Sequence, residues 1–543
     1  MHNKPVIDLI WCNDSEPGLW EFGEIINIGY SVEKLQKKVF SIVEKSRAEY
    51  LFFWAIENKN LPTNFFRDLP NGIIDVFHAG LKLGTRGQPE FINYVNPNWM
   101  LNADSTNDIA SSSWRLSLRC CLIKTEVIKQ LGFLNKNYHS VDIAALDFGY
   151  RLIRNGVFIR YEPGLIQEAI QKEELNINLE DQFKFILYNH GRKWFYWAGF
   201  RAVLSGKENL FNVFRYIYKL KNEKIGKQPV FRRQKITSRP DLTQLSVSII
   251  IPTIHRYPYL RVLLAQLRNQ TIKPLEIMIL DQTPLGYRDF DIKEEFSDLP
   301  IKYYYLDIPG QCSSRNLGIQ KSKGEYLLFL DDDVEIYPSF IQEHLNNLEQ
   351  YNGNVSSGLV HKNGQTKQPY NFSFLRISNV FPAGNTFIRK NILINAGLFD
   401  LAYDKGQRAD GDLGMRIYLS GQLMVLDPQI DLIHHHAPQG GLRTHKARVN
   451  TYAASRKSIN NRLLPSVWDL YLAKRYFTKH QVNEKLWISI LGTFSHHGSG
   501  FEKTLKIVLS LIMLPFSIIE LRKRNHAAEK MLLEFPQIPE LKK

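Results

Sequence analysis

The sequence predicts an α/β protein in which one strand-and-helix plan is written twice, with further helical segments between the copies and after them. Two observations predict it. Short apolar runs alternate with stretches of helical spacing, the pattern of a mostly parallel sheet flanked by helices. Three blocks of residues also recur in one order without gaps, which marks an internal repeat.

Residues 6–11 read as a first strand. Residues 32–44 carry Val32, Leu35, Val39, Ile42 and Val43 at helical spacing. The first block follows. Ser46-Arg47-Ala48-Glu49-Tyr50-Leu51-Phe52-Phe53-Trp54-Ala55-Ile56-Glu57 aligns with Ser322-Lys323-Gly324-Glu325-Tyr326-Leu327-Leu328-Phe329-Leu330-Asp331-Asp332-Asp333. Next, Ile123-Lys124-Thr125-Glu126 through Gly132-Phe133-Leu134-Asn135 parallels Ile388-Arg389-Lys390-Asn391 through Gly397-Leu398-Phe399-Asp400. Then Ala144-Ala145-Leu146-Asp147-Phe148-Gly149-Tyr150-Arg151 parallels Ala409-Asp410-Gly411-Asp412-Leu413-Gly414-Met415-Arg416. Tyr188 with Arg192-Lys193 also parallels Tyr452 with Arg456-Lys457. The first copy reaches its Glu-Tyr sooner, so it is truncated in its early strand–helix units. It is also degenerate. Ala55, Ile56, Glu57 and Ala145 stand where the second copy has Asp331, Asp332, Asp333 and Asp410, while Asp147 and Arg151 persist. The expected divisions are 1–183 for the degenerate copy, 184–243 for a basic aromatic helical linker, 244–445 for the complete copy and 446–543 for a helical C-terminal region.

The chain has 543 residues, with 69 Lys and Arg against 54 Asp and Glu, a net charge of +15 that suits an anionic partner. Much of the excess lies in residues 184–240, which hold 14 Lys and Arg against 2 Glu. Trp194, Trp197, Phe200, Phe211, Phe214 and Tyr218 are interleaved with them. Three readings stay open there: a linker helix with solvated lysines, an interfacial helix on anionic lipid, or a single-stranded nucleic-acid surface. The stretch from Arg232-Arg233-Gln234-Lys235 to Pro240 reads as an extended linker.

Four cysteines (Cys12, Cys120, Cys121, Cys312) form no disulfide-like pattern, which suits a reducing compartment. The start, Met1-His2-Asn3-Lys4-Pro5, lacks a signal-peptide core, and no apolar run is long enough to span a bilayer. The expected location is therefore the cytoplasm, with peripheral attachment at the inner face of the plasma membrane as an extension. Residues 505–521 are strongly apolar, with Lys503 and Lys506 before them and Arg522-Lys523-Arg524 after. They read either as a core helix kinked at Pro515 or as a helix lying in the lipid interface.

In the second copy, residues 246–253, 276–281 and 301–306 read as strands, with helices over 260–270 and 313–322. Five apolar residues of 326–330 then run into Asp331-Asp332-Asp333. Three adjacent carboxylates cannot be buried uncompensated, so they must face water, basic groups or a cation. Asp281 ends another strand of the sheet, and parallel strands put such ends on one edge, where ligands of open α/β sheets bind. Arg315 and Arg256 are the nearby basic residues. The oxygen ligands suit Mg2+ or Mn2+, which would bridge to a diphosphate. Asn316, beside Arg315 near a helix start, is a further candidate for holding a nucleotide. Three consecutive histidines, His434-His435-His436, offer one metal or diphosphate ligand, with His435 and His436 as the candidates.

Residues 246 to about 445 resemble the family 2 glycosyltransferases of GT-A fold. The resemblance rests on Ile250-Ile251-Pro252-Thr253, Gln270-Thr271 before Pro274-Leu275-Glu276-Ile277, Asp281, Arg315-Asn316-Leu317-Gly318-Ile319 and Gly324-Glu325-Tyr326 into Asp331-Asp332-Asp333. Gly384-Asn385, Gly397-Leu398-Phe399-Asp400 and Asp410-Gly411-Asp412-Leu413 with Arg416 complete it. It implies a GT-A-like mixed, mostly parallel sheet and a metal-dependent, inverting transfer from a nucleotide-sugar donor to a glycan or lipid-linked acceptor, in polysaccharide or cell-surface glycan synthesis. It implies that Asp281 contacts the base and Asp331 or Asp332 the ribose. Asp333 would be the main metal ligand with Asp331 second, and Asp410 the catalytic base. Pro252, Thr253, Arg315, Asn316, Gly384, Asn385 and, on a flexible loop, Arg443 complete the expected donor site. Two departures stand out: Ala409-Asp410 replaces the family's Glu-Asp, and Asp281-Gln282 its Asp-Asp or Asp-Asn. The rival readings are a bifunctional enzyme with two active domains and a non-catalytic adaptor for membrane or nucleic acid.

Overall fold

The computed structural model describes residues 5–57, 60–67, 69, 73–79, 90–103, 105–166, 177–223, 225–226, 229–233, 245–362, 369–438, 440, 464–496 and 498–542. The chain divides into two compact units, Met1–Ile236 with Phe374–Ile377, and Thr237–Ser373 with Ser378–Lys543. The basic aromatic segment falls with the first unit, as helices Arg192–Leu204 and Leu210–Leu220. The C-terminal helices fall with the second. Tyr452, Arg456 and Lys457, the last matched positions of the repeat, lie outside the described residues, as do residues 234–240 of the expected extended linker.

The second unit is built around the strand Tyr326–Leu330, which is fully buried. On one side it pairs in parallel with Val247–Thr253, which continues in parallel to Glu276–Asp281 and Ile301–Tyr305. On the other side it pairs antiparallel with Asn385–Arg389, followed by Val355–Lys362 and Met424–His434. The apolar residues of Tyr326–Leu330 explain its central place, since a strand covered on both faces reads as a continuous apolar run. Helices Tyr257–Arg268 and Phe340–Gln350 cover one face, burying Leu260, Leu264, Phe340 and Leu345 against Ile249, Ile251 and Leu328. The sheet is mixed and mostly parallel in its first half, as expected, and its parallel strands end together on the edge that carries Asp281 and Asp331.

The first unit has a seven-stranded sheet with the same pattern of directions. Ile7–Trp11 is parallel to Tyr50–Trp54, which is antiparallel to Cys120–Lys124. That strand is antiparallel to Val76–Ala79, which is parallel to Ile159–Tyr161. The registers coincide with the sequence repeat. Tyr50 opposes Lys124 as Tyr326 opposes Arg389, and Val76 opposes Ile123 as Val355 opposes Ile388. Beyond Ile7–Trp11 the first unit has the three-residue strand Ile25–Asn27, where the second has both Glu276–Asp281 and Ile301–Tyr305.

Two repeated features have visible structural reasons. Gly132 and Gly397 end helices Thr125–Leu131 and Leu393–Ala396 with φ of 76° and 74°, a left-handed turn that glycine makes without a Cβ clash. Asp147 and Asp412, both buried, receive the arginine one helical turn on: Arg151 Nε at 2.9 Å and Arg416 Nη2 at 2.8 Å. Each arginine also donates to a backbone carbonyl, Phe133 or Ala396. The shared Asp–Arg pair is thus a buried brace in both units. Arg151→Ala and Arg416→Ala each strand a buried carboxylate and are expected to cost about 3–5 kcal/mol, read as a lowered urea midpoint in equilibrium unfolding.

Candidate active site

Where Tyr326–Leu330 ends, its three aspartates meet different surroundings. Asp331 is one-third exposed and accepts from Arg315 Nη2 at 2.8 Å. Its other oxygen faces Gly384, where an added Cβ would come within 2.7 Å of it. Asp332 is buried and accepts from Thr253 Oγ1 at 2.8 Å and Arg256 Nη1 at 2.9 Å. Burial pushes its carboxyl up to about 6, with Arg256 pulling the other way. Asp333 is also buried, and burial alone would raise its carboxyl. The hydrogen bond and charge of His434, with Arg256 and the Ala437 N–H, outweigh burial and hold it down at about 2. His434 Nε2 lies 3.0 Å from Asp333 Oδ1, Arg256 Nη1 lies 3.2 Å from the same oxygen, and Ala437 N donates at 2.7 Å.

Arg256 therefore serves two carboxylates at once. It stands just before helix Tyr257–Arg268, delivered by a turn in which His255 has φ 56°. His255 N donates to Thr283 Oγ1 at 3.1 Å, which ties that turn to the neighbouring strand end.

Asp410 is the second residue of helix Ala409–Leu419 and is half-buried. Its Oδ1 accepts from Gly411 N at 2.8 Å. Burial and the charge of Asp331 raise its carboxyl, against the pull of Gly411 N–H, Arg408 and Arg315. Asp331, Arg315 and Asp410 are thus within electrostatic reach of one another. Arg408, at the helix cap, has φ 78°, a conformation costly for a residue with a Cβ. It is held by Asp469, whose Oδ1 accepts from Arg408 Nε at 2.6 Å.

Other expected site residues are placed differently. Asp281 is buried at its strand end, but its oxygens already accept from Tyr257 O–H at 2.7 Å and Thr283 N at 2.9 Å. Gln282, the departure beside it, accepts from Gly310 N at 2.6 Å and so helps shape the start of helix Gln311–Lys321. Asn316 is a correction. It sits inside that helix, and its amide is taken up by both the N–H and the C=O of Phe399, each at 2.8 Å. Asn385 is another. It is fully buried, donates to Leu359 C=O at 2.7 Å and faces His344 Nε2 at 2.9 Å, so it holds the sheet core and not a nucleotide. Pro252, half-buried in the strand, pairs with Leu280. Arg443 lies outside the described residues.

The histidines are also redistributed. His435 Nε2 lies 2.5 Å from Glu335 Oε1, away from Asp333. The His436 ring packs on His434 at 4.0 Å between centroids. It is His434 that meets Asp333. A period-two signal pointed to it: Ile430, Leu432 and His434 alternate along Met424–His434, and Ile430 and Leu432 are buried. Among the described residues no group of three or more His, Cys, Asp or Glu gathers around one point. Mg2+ and Mn2+ do not need one, since one or two protein ligands plus phosphate oxygens and water suffice. A carboxylate and an imidazole 3.0 Å apart, with Asp331 on the same strand end, fit that requirement in donor type and spacing.

Comparison with known proteins bears on this edge. Residues 248–401 match the family model described as Glycosyl transferase family 2. The glycosyltransferase match spans the strands that carry Thr253, Asp281 and Asp331 to Asp333 and stops before Asp410 and His434. An uncharacterized glycosyltransferase of Rickettsia felis is 32% identical over 148 residues, covering 26% of this chain and 24% of that protein. A chondroitin synthase of Escherichia coli is 27% identical over 222 residues, covering 32% of each. The chain thus spans less than a third of the length of either relative. A crystal structure of S. aureus TarS 1–349 in complex with UDP-GlcNAc covers 53% of this chain and 92% of its own, at 16% identity and a TM-score of 0.35. The mixed α/β fold is read here from the strand order itself.

Gly384→Ala tests the tightness of the edge. The added methyl must displace the Asp331 carboxylate, and, on the transfer reading proposed in the next subsection, we expect the KM for a nucleotide-sugar donor to rise about tenfold, equivalent to about 1.4 kcal/mol, with an unchanged thermal midpoint, measured by steady-state kinetics beside a melting curve.

Proposed function

We propose that the second unit transfers a sugar from a nucleotide-diphosphate donor to a hydroxyl of a glycan or lipid-linked acceptor, with inversion at the anomeric carbon. The observation that carries this reading is the carboxylate edge. Within a segment that matches a glycosyltransferase family, Asp331, Asp332 and Asp333 end the central strand beside Arg256 and Arg315, and Asp410 lies in their electrostatic field.

In this reading Asp410 takes the proton of the acceptor hydroxyl as its oxygen attacks the anomeric carbon. The bond from that carbon to the diphosphate oxygen breaks, and the nucleoside diphosphate leaves with its electron pair. One direct displacement inverts the centre. Asp333 and His434 would hold a Mg2+ or Mn2+ ion, which when bound supplies positive charge to the leaving diphosphate. Arg315 steadies Asp331, and Arg256 keeps Asp332 and Asp333 side by side. The nucleotide lies over the strand ends beside the partly exposed Asp331 carboxylate.

The first unit is proposed to be a non-catalytic copy of the same fold. The coincident registers of the two sheets support this, and Ala55, Ile56, Glu57 and Ala145 stand in the positions of the second unit's carboxylates. Its retained Asp147–Arg151 pair is accounted for by the brace it forms.

Turnover of a panel of nucleotide sugars with Mn2+ or Mg2+ tests the activity, and Asp410→Asn is expected to lower kcat by about 10²–10⁴-fold. Full activity in that variant removes Asp410 as base. A base acts when deprotonated, so a raised carboxyl moves the acid limb of the kcat profile above the ordinary aspartate position. A limb at the ordinary aspartate value contradicts that assignment. The metal site is checked by titrating Mn2+ against initial rate. His434→Ala should raise the concentration for half-maximal rate by about tenfold or more, whereas His435→Ala should leave it near wild type.

A further inference from the structure

The C-terminal helices of the second unit are turned inside out for a surface in water. Helix Gly500–Ile512 exposes Phe501 at 84%, Leu511 at 55% and Ile512 at 63% of their surfaces, and helix Leu514–Glu534 exposes Phe516 at 64% and Ile519 at 51%. The serines of the same helices point inward: Ser510 and Ser517 are buried, and Ser510 Oγ lies 2.7 Å from His496 Nε2. A contiguous apolar face of this kind marks an interaction site. Exposed Lys503 stands in the first turn of helix Gly500–Ile512, next to exposed Glu502, and exposed Arg522 and Lys523 follow the apolar face.

We propose that this helix pair is a docking surface for an anionic lipid bilayer. Three observations favour that occupant over a protein. The apolar face is bounded at both ends by cations, the order found in helices that lie in the headgroup layer. Neither helix alone is long and apolar enough to cross a membrane, but the pair, bent by 59° at its junction, together has the length and composition of a broken span, so its chemistry suits lipid. The first unit independently shows the same chemistry. Its helix Leu210–Leu220 exposes Phe211 at 76%, Phe214 at 61% and Tyr218 at 71%, with Lys221 Nζ 3.8 Å above the Tyr218 ring and Arg215 exposed beside them. The proposal does not rest on the transfer reaction, and its test uses no substrate.

The full chain is sedimented with vesicles of phosphatidylcholine alone and with vesicles that also contain phosphatidylglycerol, at low and high salt. The protein is expected to pellet with the anionic vesicles at low salt and to bind neutral ones far less. The double substitutions Leu511→Asp with Phe516→Asp, and Arg522→Glu with Lys523→Glu, lie on exposed positions and should each weaken vesicle binding about tenfold or more, with unchanged circular dichroism. Equal binding by wild type and both variants overturns the proposal, as does a wild type that stays in the supernatant. So does a dimer in sedimentation velocity that the Leu511→Asp, Phe516→Asp variant dissolves, because the face would then belong to a second copy of the chain.

Discussion

Asp332 and Asp333 are buried next to each other, and the second unit's active edge depends on how that is made tolerable. An uncompensated buried carboxylate costs several kcal/mol or more. One guanidinium, Arg256, reaches both, and His434 and the Ala437 N–H complete the compensation of Asp333. These groups arrive from two distant parts of the chain. Arg256 comes from the turn after Val247–Thr253, and His434 from the end of Met424–His434. The carboxylates therefore select the positions of a turn and a distant strand end. The result is two adjacent acids with carboxyls at about 6 and about 2.

The same arrangement separates brace from chemistry. Two residues after Asp410, Asp412 pairs with Arg416 one turn further on, and Arg416 also holds the Ala396 carbonyl. The first unit keeps that pair as Asp147 and Arg151 and has Ala145 in place of the acid above it. Losing one member of the brace would leave a buried charge, whereas Asp410 accepts only from the adjacent Gly411 N–H, so an alanine in its place strands no distant partner. Physical chemistry alone thus accounts for which positions the two units share.

Much of this was legible along the chain. The apolar run into Asp331-Asp332-Asp333 announced a strand end, because charges of one sign cannot continue into a core. The matched blocks marked residues that the structure then places at equivalent pairing positions in both sheets. The residues misread were those whose chemistry fits two roles. An asparagine beside an arginine reads as a nucleotide contact, yet Asn316 brackets the Phe399 backbone and Asn385 satisfies carbonyls inside the sheet. Both amides offer a donor and an acceptor, and only distant backbone groups decide which is used. With His434-His435-His436, composition put an imidazole near the acids, but strand alternation chose which one.

The sequence by itself determined that the second unit is an α/β sheet with its acids on one edge. Apolar periodicity and charge burial act locally, so they can be read locally. It also placed apolar runs and basic flanks at the C-terminal end. The tertiary structure alone decided that Arg256 bridges two aspartates, that the imidazole of His434 and not that of His435 meets the Asp333 carboxylate, and that Leu511 and Phe516 face outward while Ser510 and Ser517 face in. Those outcomes depend on which distant segments pack together, and hydrogen bonds and ion pairs act only over the few ångströms that packing sets.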